Sequence, residues 1–142
     1  MPSDPQSPEI AAFANGFPLA LGQAGVTLIM LVLGATLYAL MTPHKEITLI
    51  REGNSAAALS FAGVLVALTI PLGTALSTSN SLMDIVIWGA SAIFVQLLVF
   101  RLTDFVLHGL PQRIQEGEIS AALLLVGAKI STALILSAAI AA

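Results

Sequence analysis

The chain has 142 residues, 57% hydrophobic and 9% charged, with a mean hydropathy of +0.96 and a formal net charge of −3. Soluble domains carry about 25% charged residues, so there is too little polar surface here to wrap a water-soluble domain, and the class is integral membrane protein. Five scattered basic residues exclude a nucleic-acid partner, and the absence of cysteine excludes disulfides, thiol catalysis and cysteine-based metal sites.

The opening stretch MPSDPQSPEI is polar, proline-rich and acidic. A secretory signal begins on basic residues. This stretch has Asp4 and Glu9 but no Lys or Arg, so residues 1–15 read as a polar tail and the first apolar run as a retained span. A helical span needs about 20 apolar residues. The first is expected at Pro18–Met41, closed by Pro43, which lacks a donor and biases Thr42 away from helix. The second is expected at Ser55–Ser77, and Pro71 inside it should kink the helix and free the carbonyl near Ala67. A polar turn, STSNS, follows. The third span is expected at Ile85–Leu107, stopped by HGLP, and the fourth at Ile119–Ala141. The fold class is therefore an all-α membrane protein with four transmembrane helices.

Lys and Arg in short loops set orientation. Lys45 and Arg51 fall in the first loop, Arg113 in the third, and Arg101 near the same end of the third span. Loops one and three are thus expected in the cytoplasm and both termini in the periplasm. Trp88 then falls near the outer boundary and Tyr38 near the inner one, where amphipathic aromatics settle.

A shift of 64 residues lays IREGNSAAALSFAG (Ile50–Gly63) over IQEGEISAALLLVG (Ile114–Gly127), and His44 over His108. The pattern I-x-E-G-x-x-x-A-A-L-x-x-x-G carries weight because Glu is rare in this chain. Residues 16–78 and 79–142 therefore read as two copies of a two-helix unit. Each unit crosses twice, which makes the repeat parallel rather than inverted.

These residues carry a resemblance. The stretch TPHKEITLIREGNSAAALSFAGVLVALTIPL, the pair Trp88 and Gln96, and GLPQRIQEGEISAALLLVGAKIS are similar to a family of small bacterial inner-membrane proteins, catalogued as a domain of unknown function, number three-fifty. The resemblance covers about residues 18–140. It implies four helices in two repeats, an inner-membrane address and no established activity. It also implies a link to envelope maintenance, through neighbouring genes for phage-shock-type proteins and ATP-grasp ligases.

Among candidate functional residues Lys129 comes first, because it lies mid-span, where a charge costs about 2.5–3.5 kcal/mol on insertion scales. The matching residue of the first copy is Leu65. Lys129 is expected near the midplane, level with Gln96, either bonded to Gln96 or to backbone carbonyls inside the bundle, or lining a polar path or pairing with a carboxylate during transport. Arg101 and Asp104, three apart on one helix face, are expected to form a local ion pair at the inner boundary, with a gate or inter-subunit bridge as the alternative. Asp84 is expected to cap the third span. Glu52 and Glu116, each followed by Gly, precede spans two and four and suit helix starts; Asn54 should cap span two. His44 and His108 sit beside them, but without metal-ligand spacing, so neither a metal nor another cofactor is expected. Small residues four apart (Ala58/Ala62, Gly63/Ala67, Gly127/Ser131, Ala133/Ser137) mark close helix packing.

No catalytic constellation, phosphate loop or dinucleotide fingerprint is present. The expectation is a non-enzymatic inner-membrane protein that forms a homo-oligomer in the lipid bilayer. It would act as a scaffold or envelope-stress component, docking a cytoplasmic partner through His44–Glu52 and the third loop. The alternative is a small channel or transporter with a polar path around Lys129 and Gln96.

Overall fold

The computed structural model describes residues 7–42 and 46–142. His44 and Lys45 lie outside the described residues. The elements in order are α1 (Pro8–Met41), α2 (Glu46–Arg51), α3 (Ser55–Thr78), α4 (Leu82–Val106), α5 (Leu110–Gln115) and α6 (Ile119–Ala141). No strand occurs among the described residues. The helices α1, α3, α4 and α6 are each long and apolar enough to cross a membrane.

Three of the four expected spans agree with these helices within about three residues, while α1 begins ten residues early. Its start is written in Ser7-Pro8-Glu9. The Ser7 hydroxyl accepts from the Ile10 N–H, proline occupies the first turn, and Glu9 suits the positive end of the helix. Residues 8–15, expected in the tail, are therefore helical, and Pro18 lies inside α1. A second correction concerns Asp84. The cap of α4 is Ser81, whose Oγ accepts from the Asp84 N–H at 3.1 Å, while Asp84 itself stands in the first turn.

The first and third loops each hold a short helix. Both end on glycine with positive φ, Gly53 at 90° and Gly117 at 87°. The closing bonds match: Gly53 N–H to Ile50 C=O and Asn54 N–H to Leu49 C=O in one, Gly117 N–H to Ile114 C=O and Glu118 N–H to Arg113 C=O in the other. This is the glycine-terminated helix end in which left-handed backbone turns the chain back on itself. Glu52 and Glu116 are exposed at these turns, just before α3 and α6.

Helix α3 is central. It packs along α6 most extensively and also touches α1, α4, α2 and α5. Close approach to α6 needs Gly63, where a Cβ would overlap the Val126 side chain. Helices α1 and α4 run parallel: Gly34 meets Ile93 and Met30 meets Gly89, both pairs offset by 59 residues. That register places Leu82, the first residue of α4, level with Gln23. Residues 8–22 therefore extend about 22 Å beyond the bundle at 1.5 Å per residue, with Phe13 and Phe17 stacked at 4.8 Å and exposed.

The small-residue pairs divide. Gly63/Ala67 is buried inside the bundle and Ala133 packs in the core, whereas Gly127 and Ser131 lie on the exposed face of α6.

Candidate functional site: a buried polar layer beneath the loop helices

Lys129 is ten residues into α6, and only 1% of it is exposed. Side chains on a helix lean toward its N-terminus, here the α5 end. Lys129 Nζ meets Asp104 Oδ1 at 3.1 Å and donates to the Tyr38 hydroxyl at 3.3 Å. Asp104 is two residues from the end of α4, and Tyr38 three from the end of α1. The amine thus lies far closer to the loop-helix end than its place in the sequence suggests. The Asp104 contact is held by charge and distance, since Oδ1 makes no directional hydrogen bond. The rings of Tyr38 and Phe100 complete the cage, with centroids 5.1 and 5.4 Å from Nζ.

The layer continues to α2. The Tyr38 hydroxyl donates to Glu46 Oε1 at 3.2 Å, and the Ser60 hydroxyl donates to the same oxygen at 3.2 Å. Thr42, also buried, donates back to the Tyr38 carbonyl at 2.7 Å. Five elements (α1, α2, α3, α4 and α6) thus meet through side chains in one place. Burial of such groups is tolerable because each is engaged by another.

Gln96 is in a different place. It is 0% exposed, and its Nε2 donates to the Ala67 carbonyl at 3.3 Å. Pro71, four residues on, supplies no N–H to that carbonyl. Gln96 provides the donor that proline removed. Its Oε1 is buried without a hydrogen-bond partner among the described residues.

Several expectations are corrected by this geometry. Lys129 does not bond to Gln96, because Asp104 offers a charged partner within reach of its long stem. The expected Arg101–Asp104 pair is not formed: Arg101 is exposed, while Asp104 turns inward to Lys129. Tyr38, three residues from the end of α1, faces the core rather than the lipid, 2% exposed. Glu46, buried at 2%, was not singled out in the sequence; a carboxylate followed by apolar Ile47, Leu49 and Ile50 in a short loop was the available signal.

The remaining residues lie around the layer. Arg51, Arg113, Glu116 and His108 are exposed at the same end. Arg113 pairs with Glu118, at the N-terminal edge of α6, through both Nε and a terminal nitrogen. Asn54 caps α3 as expected, its Oδ1 accepting from the Ala57 N–H at 3.0 Å. Its Nδ2 also donates to the Ile114 and Gln115 carbonyls, each at 3.1 Å, tying α3 to the end of α5. No cluster of three or more metal-ligating side chains occurs among the described residues.

Four apolar helices that enclose their own charged side chains define an integral membrane bundle. The chain belongs to the DUF350 family (Domain of Unknown Function), whose model matches residues 12–140. It is similar to the UPF0719 inner membrane protein YjfL of Escherichia coli K12, and equally to the protein of that name from Escherichia coli O157:H7. In each case identity is 36% over 85 residues, covering 60% of this chain and 64% of the relative. The match thus spans just under two thirds of those relatives' length. No solved structure matches.

Proposed function

We propose that this protein is a non-enzymatic inner-membrane scaffold that presents its two loop helices to a cytoplasmic partner. One observation carries the reading: both loops are fastened to the bundle. Glu46 pins α2 to α1 and α3, and Asn54 with buried Ile114 pins α5 to α3. A fixed pair of helices offers a pre-organised surface, which lowers the ordering cost of docking. Its exposed groups include Ile47, Arg51 and Arg113. The inner-membrane address rests on the similarity to inner membrane proteins of Escherichia coli, and the orientation, with both termini periplasmic, on the basic residues of the two loops.

Assembly into a homo-oligomer belongs to the same proposal, with a changed argument. Lys129 needs no second copy for shelter. The support is instead the exposed strip of Gly127 and Ser131 on α6, where small residues allow another helix to approach. The matched glycine turns at Gly53 and Gly117, 64 residues apart, support the view that the bundle arose by duplication of a two-helix unit.

The test is affinity purification from membranes with Arg51→Glu and Arg113→Glu on the exposed faces of α2 and α5. Loss of a protein that co-purifies with the wild type is the expected result; absence of any co-purifying protein sinks the reading. The channel alternative predicts that Lys129→Ala changes ion flux in liposomes while assembly survives. Burial of both Lys129 and Gln96, each engaged by a different partner, favours the scaffold.

A further inference from the structure

We propose that the end of the bundle opposite the loop helices carries a binding site for an alkylammonium group, occupied by the headgroup of an aminophospholipid. A cavity of about 370 Å³ opens there between the end of α3 (Thr78 and its C-cap Ser79), the first two turns of α4 (Asp84, Trp88) and the end of α6 (Ala139). Asp84 and Trp88 are four residues apart and therefore lie on one helix face, and both line the cavity.

The charge balance of the molecule points to a cation from outside. Arg51, Arg101, Arg113 and Lys129 all serve the loop-helix end. Among the described residues, no Lys or Arg stands at the Asp84 end. The Asp84 side chain accepts one hydrogen bond, from the Asn80 N–H at 3.5 Å. Among the described residues it has no counter-ion, and it lines the cavity beside an indole. A carboxylate gives an ammonium charge-assisted hydrogen bonds, and an indole face attracts the same cation through its quadrupole.

Depth selects the source of the amine. The cavity sits where α3 ends at Thr78 and α4 begins at Leu82, the level of lipid headgroups. Met83 and Ile87 next to it are exposed and apolar, a surface for the attached acyl chains. A free amine would meet the polar part of the site without using that surface.

Trp88 is the single tryptophan, so its emission reports the site directly. The protein in phosphatidylglycerol vesicles would be titrated with phosphatidylethanolamine, and separately with soluble putrescine. A saturable emission change with phosphatidylethanolamine is expected, weakened about tenfold by Asp84→Asn and retained by Asp84→Glu, the loss of one charge-assisted contact. Emission that ignores phosphatidylethanolamine, or an Asp84→Asn variant that titrates like the wild type, overturns the site. A full response to putrescine alone overturns the lipid assignment. Should Asp84→Asn fail to fold, native mass spectrometry of the wild type decides: preferential retention of phosphatidylethanolamine supports the site, and equal retention of phosphatidylglycerol overturns it.

Discussion

The two buried polar places inside this bundle solve different problems. Lys129 carries a charge-bearing group into α6 and needs five residues from four other helices around it: Asp104, Tyr38 and Phe100 directly, Glu46 and Ser60 behind them. Gln96 is neutral, lies deeper along α4 and needs one partner, the carbonyl that Pro71 leaves without a donor. The difference follows from desolvation. Moving a charge out of water costs several times more than moving an amide, so the lysine stem carries its amine to the end of the bundle where acids are near, while the glutamine stays at depth.

The comparison is broken most severely at its charged member. Lys129→Ala, leaving Asp104 buried without its partner, is expected to destabilise the bundle by about 3–5 kcal/mol, measured by SDS-induced unfolding in bicelles. Removing both charges tests whether the pair stabilises or only balances itself. Lys129→Met with Asp104→Leu is expected to cost less than Lys129→Ala alone, since apolar replacement of a buried pair is often close to neutral. A double variant as unstable as the single one would show that the contacts to Tyr38 matter more than the charge.

Gln96→Leu should cost about 1 kcal/mol, the scale of a hydrogen bond between membrane helices, by the same unfolding measurement. A loss as large as that of Lys129→Ala would erase the distinction between the two places. The smallest effect is expected at Arg101, which the sequence pairs with Asp104 and the structure leaves exposed. Arg101→Gln should stay within about 0.5 kcal/mol of wild type, and a larger change in the unfolding midpoint would restore the local pair.

The contrast between α2 and α4 shows where sequence reading reached its limit. In α4, 25 predominantly apolar residues leave little choice but a span, and Leu82–Val106 falls close to the expected Ile85–Leu107. In α2, six residues carry one buried acid, and nothing local says that Glu46 turns inward while Glu52 stays exposed. The freed carbonyl at Ala67 was legible because proline chemistry is local. The residue that would satisfy it, 29 positions away, was not.

The sequence by itself determined the class, the number of spans, the helix cap at Asn54 and the glycine turns before spans two and four, while the caps at Ser7 and Ser81 were local signals left unread. These depend on composition over about 20 residues or on bonds within one turn. Only the tertiary structure decided the partners of the buried polar groups. Lys129 and Tyr38 are 91 residues apart in the chain, and which of several acids a long side chain meets depends on how α1, α4 and α6 register against α3. That register is set by close contacts such as Gly63 on Val126 and Gly34 on Ile93. No local pattern encodes them, because each is a fit between surfaces brought together only on folding.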